Sequence, residues 1–277
     1  MFLSDLHTHT WLSVDGSESV DALCEAALRQ GLGAIAITDH WDGFLPGLRD
    51  KGFAPHFMDS RDFWKLHGAK LFPEISAARD KYAGRLRILY GVELGQPQFN
   101  PAETQEFLAS YDFDFVLASQ HLNGTCQDYY ALDYTQIDPR ALMQECFELE
   151  LQVVRSGAAD ALAHLDQPVR LMKDIAFDIS LKAYRDPIAE ILREMAKRGT
   201  ALEINTHGLR SWYHRVSPPE WVLPLFRDLG GELITTGSDA HRAADVGAGI
   251  REARELAGAY GLRAVSYFDR HTPIILE

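Results

Sequence analysis

Two histidines one residue apart, His7 and His9 in "DLHTHT", close a short apolar run. In an extended strand, residues two apart face the same side, so the two imidazoles converge on one point, a geometry that suits a metal ion. Such a pair arises by accident in many chains and carries little weight alone. The other apolar runs supply the weight. "GAIAIT" leads into Asp39 and His40, "RILYGV" into Glu93 and "FDFVLAS" into His121. "ADALAH" ends in His164 with Asp166 beyond it, "TALEIN" in Asn205 with His207 beyond it, and "GELITTG" leads into Asp239 and His241. Histidines used for packing would be scattered over strand and helix positions, whereas most of these share one locus. His56, His67, His214 and His271 do not, and read as surface or loop residues. Imidazole and carboxylate donors without cysteine suit Zn²⁺, Mn²⁺ or Fe²⁺ better than Ca²⁺ or Mg²⁺. One tetrahedral ion uses about four donors, so the larger set implies two or three divalent ions, with Glu93 able to bridge a pair. Centres of this kind activate water and neutralise charge on a phosphoryl group, which points to hydrolysis.

The elements that must position these groups alternate along the chain. The seven apolar runs read as buried parallel strands, and the segments between them have helical periodicity. "SESVDALCEAALRQG" carries an apolar stripe at Val20, Leu23, Cys24, Ala27 and Leu28 and is stopped by Gly31. Asp138–Pro139, Asp186–Pro187 and Ser217–Pro218 each read as an N-cap followed by proline at the first helical position. Pro224 should kink or shorten the last of these helices. Alternating strand and helix predicts a parallel sheet, wound open or closed as a barrel. In either, the C-terminal strand ends are where ligands gather. Insertions at about 41–87 and 122–138 interrupt the pattern. No linker or repeat marks a boundary, so the chain reads as one domain over 1–277.

The 277 residues and 46% apolar content fit a globular protein with a sizeable core. No apolar run reaches the length of a membrane span, and the start, "MFLSDLH", lacks the features of a signal peptide. The expectation is a cytoplasmic protein with no membrane partner. Cys24, Cys126 and Cys146 have no CxxC spacing, which argues against a disulfide framework and a thiolate cluster. The net charge of −13 disfavours long nucleic acid as a partner, but not a small phosphate held by a local cluster of cations.

The set "HTH", "TDH", "GVE", "SQH", "AHLD" and "SDAH", in this order from "DLHTHT" to "GSDAHRAADVG", resembles the polymerase and histidinol phosphatase (PHP) family. The resemblance implies a distorted (β/α)7 barrel holding up to three metal ions. "LEINTHGLR" and the long insertion after the second strand resemble the histidinol-phosphate phosphatase branch. Carried over motif by motif, His7, His9 and Asp239 hold one ion, Glu93 bridges to a second held by His121 and His164, and a third takes Asp15, His40 and His241. Asp15 departs from the His of many relatives, and its plainer reading is a helix-entry carboxylate.

The implied activity is a phosphomonoesterase acting on a small alcohol phosphate, L-histidinol phosphate first, by attack of metal-bound hydroxide. Inorganic phosphate and L-histidinol would be the products. The alternative within the family is a nucleotide or short oligonucleotide substrate. Asp15 and His40 are the candidate acids for the leaving alkoxide, with Glu93 grouped with them as catalytic. Arg210, shortly after the end of the run "TALEIN", is the first candidate for a phosphate clamp, ahead of Arg242. His207 stands where relatives of this branch often carry Ser or another small polar residue, and reads either as a substrate phosphate contact or as an idle imidazole, not as a metal ligand. Trp11, Trp41, Trp212 and Tyr213 read as pocket lining or packing. The sequence leaves the oligomeric state open.

Overall fold

The structure is a computed structural model describing residues 1–45 and 65–276. His56 and the middle of the 41–87 insertion lie outside the described residues. The seven apolar runs all form strands. Together with two further short strands, β3 and β9, they are in chain order β1 (Ser4–Thr8), β2 (Ala34–Ile37), β3 (His40–Asp42), β4 (Arg87–Gly95), β5 (Phe115–Ser119), β6 (Ala161–Leu162), β7 (Ala201–Asn205), β8 (Leu233–Gly237) and β9 (Arg263–Ala264). They make one parallel sheet ordered β1-β2-β4-β5-β6-β7-β8-β9, with β3 beside β4. The strands β2 and β3 pair with successive halves of β4, Ala34–Ile37 against 87–90 and His40–Asp42 against 93–95. They are one strand broken at Thr38 and Asp39, and the break aims His40 at the top of the sheet.

The sheet curls until its ends meet. Above the strand ends, the His9 amide donates to the Ala240 carbonyl and the Asp239 amide to the His7 carbonyl, both at 2.9 Å. Lower down, β9 pairs with the start of β8, and Ser4 Oγ donates to the Val265 carbonyl. The seam between first and last strands is therefore wedge-shaped, closed at the top and propped open by β9 at the bottom. This is the distortion of the (β/α)7 barrel. A hairpin, β10 (Tyr267–Asp269) and β11 (Thr272–Ile274), sends Phe268 into the lower lumen, where it stacks on Phe115 at 4.7 Å. Leu6, Leu89 and Leu117 fill the rest of that layer, and alanines at 34, 36, 161, 163 and 201 leave room for them. The apolar layer excludes water beneath the charged groups above it.

Helices α1 (Val20–Arg29), α2 (Phe72–Lys81), α3 (Pro101–Ala109), α4 (Pro139–Ser156), α5 (Arg185–Arg198), α6 (Val222–Asp228) and α7 (Ile250–Ala259) cover the outside. Ser19 caps α1 through Ala22 N, and Asp138 caps α4 through Arg140 N with Pro139 in the first turn. Gly157 and Gly199 end α4 and α5 in the left-handed region, φ 70° and 72°. Two helix starts differ from expectation. Helix α5 begins at Arg185, so Asp186 sits inside its first turn rather than capping it. Ser217 starts no helix. Its backbone pairs with Asn205, its Oγ donates to Asp166, and α6 begins five residues later. Pro224 then falls in the first turn of α6, where a missing N–H costs nothing.

His67 is also a correction. It is fully buried in a π-turn (His67–Leu71), with its Nδ1 2.6 Å from the Tyr90 hydroxyl and Phe107, Tyr111 and Phe113 around it. Burial pushes its pKa down to about 3. His214 and His271 lie in exposed loop and turn positions, as expected. The three cysteines are free and buried. Among the described residues, no helix is long and apolar enough to cross a membrane.

Candidate metal centre

Glu93 leaves β4 near the barrel axis, fully buried, and four imidazoles meet its carboxylate. Its Oε1 lies 2.9 Å from His121 Nε2 and 2.9 Å from His164 Nε2. Its Oε2 lies 3.0 Å from His7 Nε2 and 2.9 Å from His40 Nδ1. A register shift of β1 between Asp5 and Thr8 breaks the strict alternation, so that Leu6 joins the lumen cluster while His7 reaches the centre. On the far side, Asp239 Oδ1 stands 3.6 Å from both His7 Nε2 and His9 Nε2. Asp239 has a left-handed backbone, φ 55°, an uncommon conformation for a non-glycine residue and one met at functional sites. His9 stacks on His241 at 4.1 Å and on His40 at 4.3 Å. Asp15 Oδ1 closes that side, 3.2 Å from His241 Nε2 and 3.7 Å from His40 Nε2. All nine residues expected as ligands thus lie in one cluster.

Three of the imidazoles are held from behind by acceptors. His7 Nδ1 meets Glu203 Oε1 at 2.7 Å, and His121 Nδ1 meets Asp42 Oδ1 at 3.1 Å. His9 Nδ1 meets Ser13 Oγ at 3.0 Å, and that hydroxyl donates to Asp39 Oδ1 at 2.6 Å. In each case the acceptor keeps a proton on the outward nitrogen, so that the inward Nε2 is the one that presents a lone pair when an ion displaces its proton, the tautomer a metal ligand needs. Gly95 makes one of these pairs possible, because a Cβ there would collide with Asp42 and crowd His121 Nδ1.

Charge at the centre follows from the same contacts. Burial alone would push His7 and His121 down, but neighbouring carboxylates, Glu93 foremost, hold both well above the usual imidazole value. Burial would likewise raise Glu93 and Asp239, yet His7 and the other cations around them keep both well below the carboxylate range. His9 is lowered by burial and by the facing His241 and His40, so it stays neutral. Burial also lowers His164. Without ions, protons sit between imidazoles and carboxylates, and those are the positions a cation would take while releasing them. Four sets of donor atoms lie mutually within 4.8 Å: His7, His9 and Glu93; His7, His164 and Asp239; His40, Glu93 and His121; His9, His40 and His241. His9 Nε2, buried and facing inward between Glu93 Oε2 at 3.4 Å and Asp239 Oδ1 at 3.6 Å, makes no hydrogen bond among the described residues. The donor set fits divalent ions that take nitrogen and carboxylate.

A cavity of about 660 Å³ opens over the centre, with His40, His121, His164, Asp239, His241 and Asp15 on its floor. Its outer wall includes Tyr130, Gln167, His207, Arg210, Arg242 and Asp245. The loop at 122–138 contributes Tyr130 through a short 3-10 turn, Tyr129–Ala131, whose Asp128 cap accepts from Tyr130 N. Arg210 reaches the wall, but its Nη2 donates to the Ser238 carbonyl at 2.8 Å and its Nε faces Asp245 at 3.4 Å. Arg242 lies at the exposed rim. Burial, helped by Arg170, lowers His207 to about 4, leaving it neutral. None of Trp11, Trp41, Trp212 and Tyr213 lines the cavity. Trp41 stacks on Phe107 in the core, and Trp212 and Tyr213 bond to the Arg170 carbonyl and Asp166.

Sequence reasoning missed Arg170 and Glu203. Arg170 is buried behind the cavity wall, with Nη1 2.7 Å from Asp239 Oδ2. Its charge acts on Tyr130, His164 and His207, all of which line the cavity. Its Nε and Nη2 have no partner among the described residues. Two such donors on a buried cation form a group whose geometry suits an anion. The signal in the sequence was an arginine six residues after His164 in "AHLDQPVR".

A parallel barrel with imidazoles and carboxylates crowded at its strand exits is the scaffold of a metal-dependent hydrolase. The chain belongs to the PHP domain family, whose pattern matches residues 5–207. It is 29% identical to the histidinol-phosphatase of Lactococcus lactis over 95% of this chain and 93% of that protein. To the histidinol-phosphatase of Bacillus subtilis it is 26% identical, over 88% of this chain and 95% of that one. The crystal structure of the histidinol phosphate phosphatase of Lactococcus lactis, complexed with zinc, L-histidinol and phosphate, superposes with a TM-score of 0.77. The sequences there are 26% identical, over 98% of both chains.

Proposed function

We propose that this protein is a metal-dependent phosphatase that hydrolyses L-histidinol phosphate to L-histidinol and inorganic phosphate. The observation that carries this reading is Glu93, a fully buried carboxylate meeting His7, His40, His121 and His164 within 3.0 Å, in a chain similar over nearly its whole length to histidinol-phosphatases. His7, His9 and Asp239 would hold one divalent ion, His121 and His164 a second with Glu93 between them, and Asp15, His40 and His241 a third. Zinc, manganese and iron fit these donors. When bound, the ions supply an activated water at neutral pH and positive charge facing the phosphoryl oxygens.

The protein's own groups then have separable tasks. Arg170, anchored by Asp239 through Nη1, offers Nε and Nη2 to the non-bridging phosphate oxygens. It takes the clamp role that the sequence assigned to Arg210, whose guanidinium is engaged with Ser238 and Asp245. Burial opposes ionisation of Asp15, but His241 and His40 hold its carboxyl well below the usual range, which suits a ligand and not a proton donor. For His40, burial is outweighed by Glu93 and the pKa is pushed up to about 9, so His40 carries a proton in the ion-free centre and serves the leaving alkoxide only where the third ion is not bound. Placement and charge neutralisation dominate phosphate ester hydrolysis, and these groups supply both. The outer wall, with Tyr130, Gln167, His207, Arg210 and Arg242, faces the alcohol part of the ester.

The test is elemental analysis combined with phosphate release from histidinol phosphate, an aryl phosphate and a nucleotide, each with added Mn²⁺ or Zn²⁺. Preferred turnover of histidinol phosphate, with two or three ions per chain, is the expected result. Preference for the nucleotide refutes the substrate, and full activity after complete metal removal refutes the mechanism.

A further inference from the structure

Glu203 stands in the middle of β7, fully buried, and does not reach the cavity. Its two oxygens are divided between separate parts of the centre. Oε1 accepts from His7 Nδ1 at 2.7 Å. Oε2 accepts from the His164 backbone amide at 2.8 Å and from Asn205 Nδ2 at 3.1 Å. The same Asn205 amide lies 3.3 Å from Asp239 Oδ2. His7, His164 and Asp239 form one of the four donor sets, and Glu203 touches two of them directly and the third through Asn205. It touches none of His9, His40, His121 and His241. We propose that Glu203 is the positioning residue of the ion held by His7 and Asp239. It fixes the His7 tautomer with Nε2 free and ties strands β1, β6, β7 and β8 together around that ion.

Two observations make the arrangement specific. First, every partner of Glu203 is a donor, three N–H groups in all, so only an ionised carboxylate satisfies both sides at once. A glutamine would have to turn its NH₂ toward His7, forcing the proton onto the wrong ring nitrogen, or toward His164 N and Asn205 Nδ2, setting donor against donor. Second, Gly237 of β8 lies directly against the carboxylate, and a Cβ at that position would collide with Glu203 Oε1 and His7 Cβ. The sheet thus omits a side chain where the His7–Glu203 pair needs the room.

The inference rests on the metal-centre reading above, and metal content tests the two separately. Wild type and Glu203→Gln are stripped, reloaded with Co²⁺ and dialysed, then measured for ions per chain, for the visible Co²⁺ spectrum and for resistance to a competing chelator. Glu203→Gln is expected to retain one ion fewer than wild type, to lose part of the spectrum and to yield that ion about 10- to 100-fold more readily to the chelator, the usual cost of losing such a partner. Its stripped form should keep the circular dichroism of stripped wild type. Glu203→Asp retains the charge and both acceptors but ends one methylene short, so it should fall between the two, and it carries the test if the glutamine variant does not fold. Ion content, spectrum and chelator resistance equal to wild type in these variants would overturn the inference alone. Wild type that takes up no ion would overturn the metal-centre reading along with it.

Discussion

Arg170→Lys is the substitution that most directly tests how the phosphate is held. Lysine keeps the positive charge beside Asp239, so that carboxylate is not left buried and unpaired, a loss that would cost about 3–5 kcal/mol and obscure the result of an alanine. What disappears is the fork, since Arg170 spends Nη1 on Asp239 and leaves Nε and Nη2 without partners among the described residues. A hydrogen bond to a charged group contributes about 1.5–3 kcal/mol. At the lower figure, two bonds amount to about 3 kcal/mol, which is roughly a hundredfold in kcat/KM. Phosphate release from histidinol phosphate measures that loss, and inhibition by inorganic phosphate measures the clamp alone, because the product makes the same contacts as the ester's phosphoryl group. Both constants should move together, with ion content unchanged. If the inhibition constant for phosphate stays at the wild-type value while ions remain bound, Arg170 is no clamp and its free N–H groups need another explanation.

Three further outcomes follow. Glu93→Gln removes the carboxylate that four imidazoles share, and it should lower turnover by more than about 10²-fold together with ion content; a variant with full activity would sink the shared-centre reading. Glu150, on α4, is fully buried with neither oxygen partnered among the described residues, and burial raises its pKa well above the carboxylate value. It folds protonated, so above about pH 4.5 it costs the native state roughly 1.4 kcal/mol per pH unit until the folded pKa is reached. Glu150→Gln should flatten the alkaline side of the Tm–pH curve, and curves that stay parallel from pH 5 to 9 would show the group is not proton-linked. His67 is the opposite case, since its pKa falls to about 3 on folding. Its stabilisation is complete above about pH 6.5 and declines below, by about 2 kcal/mol at pH 5, so His67→Gln should lose less stability than wild type between pH 7 and 5 in denaturant titrations.

The ligands were legible because they obey a positional rule that one strand can display by itself. An apolar run that ends in His or Asp is visible without any partner strand, and all seven runs do form strands. Glu203 gives no such sign. It sits inside the run "TALEIN", and only the closure of β7 against β8 and β1 reveals that its carboxylate faces His7. Arg170 gave no such sign for a related reason. Distance along the chain from a strand end says little once the loop turns, and the 3-10 turn at Gln167–Leu171 carries Arg170 back toward Asp239. The helix start at Asp186 falls one residue inside the observed helix, which begins at Arg185, and Ser217 satisfied local capping rules but is taken by tertiary contacts with Asp166 and Asn205. His67 was misjudged because burial depends on the aromatic residues of β4 and α3 around it, which are distant in sequence.

The wedge-shaped seam has a consequence for how the protein is made. Its first strand contributes His7 and His9, its last sheet crossing contributes Asp239 and His241, and the Asp5–Ser238 contact that joins them spans 233 residues. A chain emerging from the ribosome carries the first two imidazoles long before the groups that complete their set. No nascent fragment ending before Ser238 has the whole set, so ion capture is reserved for a chain that has already brought β8 back to β1. On the proposed ligand assignment, a captured ion joins the two edges of the seam and adds a cross-link to the hydrogen bonds that already close it.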